Sequence, residues 1–167
     1  NIPEGITPKE FEEKLVNQTI LDITTRGKWL IFHLSDWLLL VHLRMEGKFF
    51  FRNINDPIGK HEHVIFTLDS EEELRFADVR KFGKMRLLPK VGYESLEPFS
   101  SLGLEVWDEK LDTTYLLECF KRKSLPIKTT ILDQSIITGI GNIYADEILF
   151  LSRLNPLMKT SSLTEGD

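Results

Sequence analysis

Hydrophobic and polar positions repeat with two different periods along this chain, and the change falls after Pro89. Before it, short apolar runs read as strands. Ile20 to Thr25 alternates, Trp29 to Leu34 is apolar and aromatic, and Trp37 to Leu43 is nearly continuous. Lys48 to Arg52, Val64 to Asp69, Leu74 to Ala77 and Met85 to Leu88 complete the series. Turn signals such as Ser35-Asp36 and Asp56-Pro57-Ile58-Gly59 separate them. Closely spaced antiparallel strands of this kind predict a sandwich or barrel. One helix comes first. Thr7-Pro8-Lys9-Glu10 is a capping box with proline at the first helical position, and Phe11, Leu15 and Val16 form an apolar stripe ending near Asn17.

Residues 92–108, with Gly92, Pro98, Ser100-Ser101 and Gly103, read as a connecting segment. Beyond Asp108 the pattern is helical. Tyr115, Leu116, Leu117 and Phe120 fit one helix capped by Asp112 or Thr113; Ile127 to Leu132 fits a second, and Tyr144 to Ser152 a third. Asn155-Pro156 stops the third, and Ser162 or Thr164 is placed to cap a further helix. The expected fold class is therefore α+β: an antiparallel β-sandwich over residues 1–91, a linker over 92–108, and a helical domain over 109–167.

A length of 167 residues with 41% hydrophobic content supports a real core, as one large domain or two small ones. No apolar run is long enough to span a membrane. Cys119 is the sole cysteine, so an intrachain disulfide and a cysteine zinc site are both ruled out within these residues. The chain starts at Asn1 without a methionine and shows no signal-peptide pattern, which makes the cytosol the default location. A net charge of −5 argues at first against a nucleic-acid partner. The distribution argues otherwise. Arg80 to Lys90 holds five basic residues and no acid, Cys119 to Thr130 holds four and no acid, and the acids gather at Asp69–Glu73 and between Glu94 and Glu118. A basic face with an acidic back is expected.

Three loop motifs stand out; the first basic run overlaps one of them and the second precedes another. Gly139-Ile140-Gly141-Asn142-Ile143-Tyr144-Ala145-Asp146-Glu147 describes a tight turn at the mouth of a helix. Glycine lets such a backbone approach an anion closely, so the turn suits a phosphate; it equally suits a plain corner between helices. His42-Leu43-Arg44-Met45-Glu46-Gly47-Lys48 and Asp78-Val79-Arg80-Lys81-Phe82-Gly83-Lys84 each place an apolar side chain near an arginine and just before a glycine. That pattern fits a loop tip that wedges between stacked bases, or two hairpin ends with a half-buried Met and Phe. Methionine, flexible and apolar, can enter a base stack without demanding hydrogen bonds. Lys28 follows Gly27 at a strand start, a position that suits a phosphate clamp and equally a solvated strand-end lysine. In Lys60-His61-Glu62-His63 the alternation puts His61 and His63 on one strand face, but no third metal ligand is evident nearby, so no metal site is expected.

Taken together and in this order, these motifs closely resemble the formamidopyrimidine-DNA glycosylase family of bacterial base-excision repair, over about Arg26 to Pro156. The resemblance implies a β-sandwich domain, a helix-two-turns-helix domain and a C-terminal zinc finger, with duplex DNA containing an oxidised purine as partner, a monomeric state and a nucleoid-associated cytoplasmic setting. It implies that Met45, Arg80 and Phe82 fill the gap left by an extruded base, Arg80 facing the unpaired cytosine. It also implies that Lys28, His61, Lys128, Asn142 and Tyr144 grip phosphates. In that family an N-terminal proline attacks C1′ of the damaged nucleotide, and the following Glu assists by proton transfer. Neither that N-terminus nor the four-cysteine finger is present here. The expectation is an internal fragment with no catalytic residue and no cofactor of its own, zinc belonging to the finger. The segment Leu102-Gly103-Leu104-Glu105-Val106 stands where family members show Gly-Pro-Glu-Pro. The alternative expectation is a binding module without chemistry that recognises damaged or bent DNA.

Overall fold

A computed structural model describes residues 3–167. Helix α1 (Pro8–Leu15) starts at the capping box: the Thr7 side chain accepts from the Glu10 N–H while the Glu10 carboxylate accepts from the Thr7 N–H. Seven strands follow: β1 (Ile20–Arg26), β2 (Trp29–Leu34), β3 (Trp37–His42), β4 (Lys48–Asn53), β5 (Glu62–Thr67), β6 (Glu72–Ala77) and β7 (Lys84–Pro89). One sheet has the order β1-β2-β3-β7, and a second has the order β4-β6-β5. The β2–β3, β3–β7, β4–β6 and β5–β6 pairs are antiparallel.

The two sheets share one core. Phe32, Leu34, Leu39, Val41 and Met85 from the first meet Leu74 and Phe76 from the second, with Phe11 of α1 closing the layer. Phe49 links the sheets edge-on to Phe32 at 5.6 Å, and its ring lies tilted 5.3 Å from Phe76 of its own sheet. The near-continuous apolar run in β3 is buried along Leu38–Val41. The sandwich expected from the alternation is present. The β1 strand is different, since its residues from Ile20 to Thr25 are exposed despite their apolar members.

Compactness divides the chain into two units: the residues up to Thr25 together with Trp29–Val91, and Arg26–Lys28 together with Gly92–Asp167. In the second unit α2 (Thr113–Lys121) is capped by the Asp112 carboxylate, which accepts from the Tyr115 N–H. Helices α3 (Ile127–Ile131) and α4 (Asn142–Leu151) pack through Ile127, Ile131, Ile136, Ile140, Ala145 and Leu149, with Phe120 of α2.

The stretch 92–108 does more than connect. Leu104–Glu105 forms a strand, β8, paired in parallel with β9 (Ile137–Thr138), and the Gly103 N–H donates to the Gln134 carbonyl at 2.8 Å. Composition alone concealed this because Gly103 is required by contact: a Cβ there would lie 2.3 Å from the Ile136 carbonyl oxygen. The three-residue tripeptide Arg26–Lys28 also joins the second unit, although the strand pattern assigns it to the first.

Candidate nucleic-acid interface

In the first unit, the two arginine-bearing loops meet over one buried phenyl ring. Phe76 is 0% exposed. A Cβ on Gly47 would lie 2.9 Å from its Cζ, and a Cβ on Gly83 would lie 2.5 Å from the same atom. Only glycine fits at either place, so the glycine closing each motif is a packing requirement. Within each loop, the residue before the exposed apolar side chain is left-handed: Arg44, before Met45, and Lys81, before Phe82, both have φ 57°. Such a conformation costs a non-glycine residue roughly 1 kcal/mol or more. Asp78 holds the second loop in that shape. Its carboxylate accepts from the Gly83 N–H at 2.7 Å and the Arg80 N–H at 3.0 Å. Burial pushes the Asp78 carboxyl up, but backbone N–H donors from Gly83, Arg80, Lys81 and Phe82 outweigh it, and the net shift is downward. Asp78 therefore stays ionised.

The outcome is a contact trio at the surface. Met45 is 75% exposed and Phe82 49%. The Arg80 Nη1 lies 3.4 Å from the Met45 sulfur, and its guanidinium sits 4.6 Å from the centre of the Phe82 ring. Residues from loops separated by more than thirty positions thus form one polar-tipped apolar projection. Of the two readings open for these loops, the half-buried one fails for Met45, while Phe82 is about half exposed.

His61 and His63 are both half-buried, their rings edge to face at 6.5 Å. A bulge shifts the pairing register between Glu62 and Val64, at His63. The His61 carbonyl accepts from the Asp78 N–H, and a His63 ring nitrogen meets the Asp78 carbonyl at 2.9 Å. The pair supports the Asp78 loop from below. Among the described residues no three His, Cys, Asp or Glu side chains are placed to hold a metal ion. Zinc, which the resemblance places in a finger, has no ligand set among them.

In the second unit, α4 begins at Gly141, and no side chain caps it. Lys28 lies beside this start: its Nζ is 3.6 Å from where a Gly141 Cβ would project. Asn142 and Tyr144 are exposed on the first turn of α4. The Gln134 side chain shapes the turn, accepting from the Gly139 N–H at 3.0 Å and donating to the Ile140 carbonyl at 3.0 Å. Gly139 has φ +94°, which only glycine adopts readily. Lys128 pairs with Asp146 at 2.6 Å. Asp133 belongs to a different group; it binds Lys123 and Ser135, and the Lys123 ammonium above all holds its carboxyl down at about 2.

A β-sandwich unit whose paired loops project apolar side chains, followed by two helices around a glycine turn, defines the sandwich and helix-two-turns-helix class. The comparisons narrow this. Residues 1–85 match the formamidopyrimidine-DNA glycosylase N-terminal domain, and residues 102–167 match the formamidopyrimidine-DNA glycosylase H2TH domain. The chain belongs to the formamidopyrimidine-DNA glycosylase family. It is 44% identical over 160 residues to the formamidopyrimidine-DNA glycosylase of Oceanobacillus iheyensis, covering 95% of this chain and 57% of that protein. Against the Bacillus subtilis protein of the same description it is 43% identical over 159 residues, covering 95% and 57%. A Lactococcus lactis Fpg bound to DNA with an abasic site superposes with a TM-score of 0.85 at 33% identity, covering 95% of this chain and 58% of that one. A MutM complex with DNA carrying carbocyclic 8-oxo-G gives 0.86 at 33% identity, with 95% and 59% covered. The chain thus spans somewhat more than half the length of these relatives.

Sequence reasoning missed Asp78 as the organiser of its loop, Phe76 as the common anvil, and Glu105, Thr138 and Gln134 around the helical turn. The aspartate opening the second motif was a signal for the first, since a carboxylate before a glycine turn commonly accepts backbone N–H groups.

Proposed function

We propose that the full-length protein to which this chain belongs is a base-excision-repair DNA glycosylase with an associated abasic-site (β,δ) lyase activity on oxidised or ring-opened purines in duplex DNA. What carries the reading is the Met45–Arg80–Phe82 trio, an exposed apolar projection with a guanidinium seated between its two members. An extruded base leaves a gap that costs a few kcal/mol of lost stacking, and an apolar plug offsets that cost. In this reading Met45 enters the gap, Phe82 presses into the stack, and Arg80 turns from the Met45 sulfur to the base left unpaired. Lys28, Lys128, Asn142, Tyr144 and His61 hold phosphates, with Asp146 giving up Lys128 to the anion.

The reading places no nucleophile among these residues. Glycosylase and lyase chemistry needs an unprotonated amine at C1′, and an ordinary lysine, with pKa near 10.4, is well under 1% neutral at pH 7. A polypeptide of this sequence should give no borohydride-trapped adduct with an oxidised-guanine duplex. An adduct mapped to an internal lysine would overturn that part. The second reading, a non-catalytic module for damaged DNA, uses the same trio without the chemistry.

The test is Met45→Ala in binding to a duplex with an abasic-site analogue and to its undamaged counterpart. Lesion-duplex affinity should fall by a few kcal/mol while undamaged-duplex affinity barely moves. Equal losses on both duplexes would make Met45 a packing residue and defeat the assignment.

A further inference from the structure

The tripeptide Arg26-Gly27-Lys28 is held in the second unit by a buried socket with no role in the reading above. Glu105, only 9% exposed, uses one carboxylate oxygen twice. Its Oε1 accepts from Arg26 Nη1 at 2.7 Å and from the Gly27 N–H at 2.6 Å. Arg26 Nη2 completes the clasp by donating to the Gly103 carbonyl at 2.6 Å. Gly27 is left-handed, with φ +59°. The position a side chain would occupy there is already filled: a Cβ would lie 2.2 Å from the Thr138 Oγ1. That hydroxyl is fully buried with no hydrogen-bond partner. A lone buried hydroxyl is costly, and here it forms the wall against Gly27.

Glu105 and Thr138 are direct partners across the parallel β8–β9 pair. Thr138 is followed at once by Gly139-Ile140-Gly141 and the first turn of α4. One short ladder therefore fixes both the backbone before Lys28 and the helix start beside which its ammonium lies. We propose that Glu105 is a positioning residue for Lys28: through the Gly27 N–H and Arg26, against the Thr138 wall, it sets the reach of the ammonium to a DNA phosphate at the start of α4. This rests on the reading of Lys28 as a phosphate contact. A flexible lysine left to itself would pay rotamer entropy on binding; one whose backbone is already set loses less.

The 167-residue chain, titrated with a duplex carrying an abasic-site analogue across a range of salt, tests this. Lys28→Ala should flatten the slope of log K against log salt by about 0.9, one phosphate contact, with roughly a five- to tenfold loss near 0.1 M salt. Glu105→Gln should reproduce most of that change although it removes no positive charge, and the double variant should be no worse than Lys28→Ala alone. Glu105→Asp, which keeps the charge but draws the oxygen back, gives a second route if the glutamine variant does not fold; it should flatten the slope in the same way. A folded Glu105 variant with an unchanged slope, or effects that add in the double variant, would overturn the positioning role. An unchanged slope in Lys28→Ala, or no binding by the unsubstituted chain at low salt, would instead overturn the phosphate reading beneath it.

Discussion

The loop trio of the first unit and the helical turn of the second are built by opposite means. Met45, Arg80 and Phe82 project from loops seated on an apolar ring, with Gly47 and Gly83 closing on Phe76 and one buried carboxylate, Asp78, shaping the backbone. The turn before α4 sits on hydrogen bonds: Gln134 to Gly139 and Ile140, Glu105 to Gly27 and Arg26. The first presents side chains; the second presents a helix start and a cation. A base stack is entered by apolar matter that must be pushed out from a firm base, and van der Waals packing supplies that firmness. A phosphate is met by donors whose direction matters, and hydrogen bonds set direction.

Removing the anvil should break the comparison most severely. Phe76→Ala is expected to cost about 3–5 kcal/mol, the range for emptying a fully buried aromatic site. Denaturant unfolding reads the loss. The same variant, where still folded, should lose lesion discrimination before salt-dependent binding, since all the proposed phosphate contacts except His61 rest on the other unit. Loss of both in step would mean the two regions are not built independently.

Arg80→Ala separates side-chain readout from packing within the trio. Discrimination for cytosine over adenine opposite the lesion should fall by about 1–3 kcal/mol, the scale of a good base-edge contact. Excision rates opposite each base in the full-length protein give the ratio. A ratio that does not move would reduce Arg80 to a brace between Met45 and Phe82.

The smallest effect belongs to the hydrogen-bonded side. The Asp133 carboxyl is lowered from 3.8 to about 2, chiefly by Lys123 and then by Ser135. A depressed folded pKa contributes stability that is whole above about pH 4 and is lost as pH falls through about 2. The shift is worth about 2 kcal/mol at most. With a third of each partner's side chain exposed, solvent screening reduces it to about 1 kcal/mol. Asp133→Asn should therefore be about that much less stable at neutral pH and should lack that part of the acid loss. Parallel acid limbs for the two proteins would show the pair to be idle.

The amino-acid sequence by itself determined a great deal here. Periodicity was enough for the strands, since β3 is buried along its apolar run and β4 to β7 fall where alternation puts them. Local chemistry was enough for the cap at Thr7 and left Asp112 or Thr113 for the other, which the structure assigns to Asp112. The glycines of the loop motifs and the Gly-Ile-Gly turn were visible as glycines. What they are for was not. That Gly47 and Gly83 close on the same ring, that Gly27 is filled by Thr138, and that Glu105 holds the backbone before Lys28 depend on residues from distant parts of the chain. So does the bulge at His63. Periodicity reports which way a side chain faces within its own element. Only the tertiary structure decides what it then meets, because close packing and hydrogen-bond direction are settled between elements rather than along one.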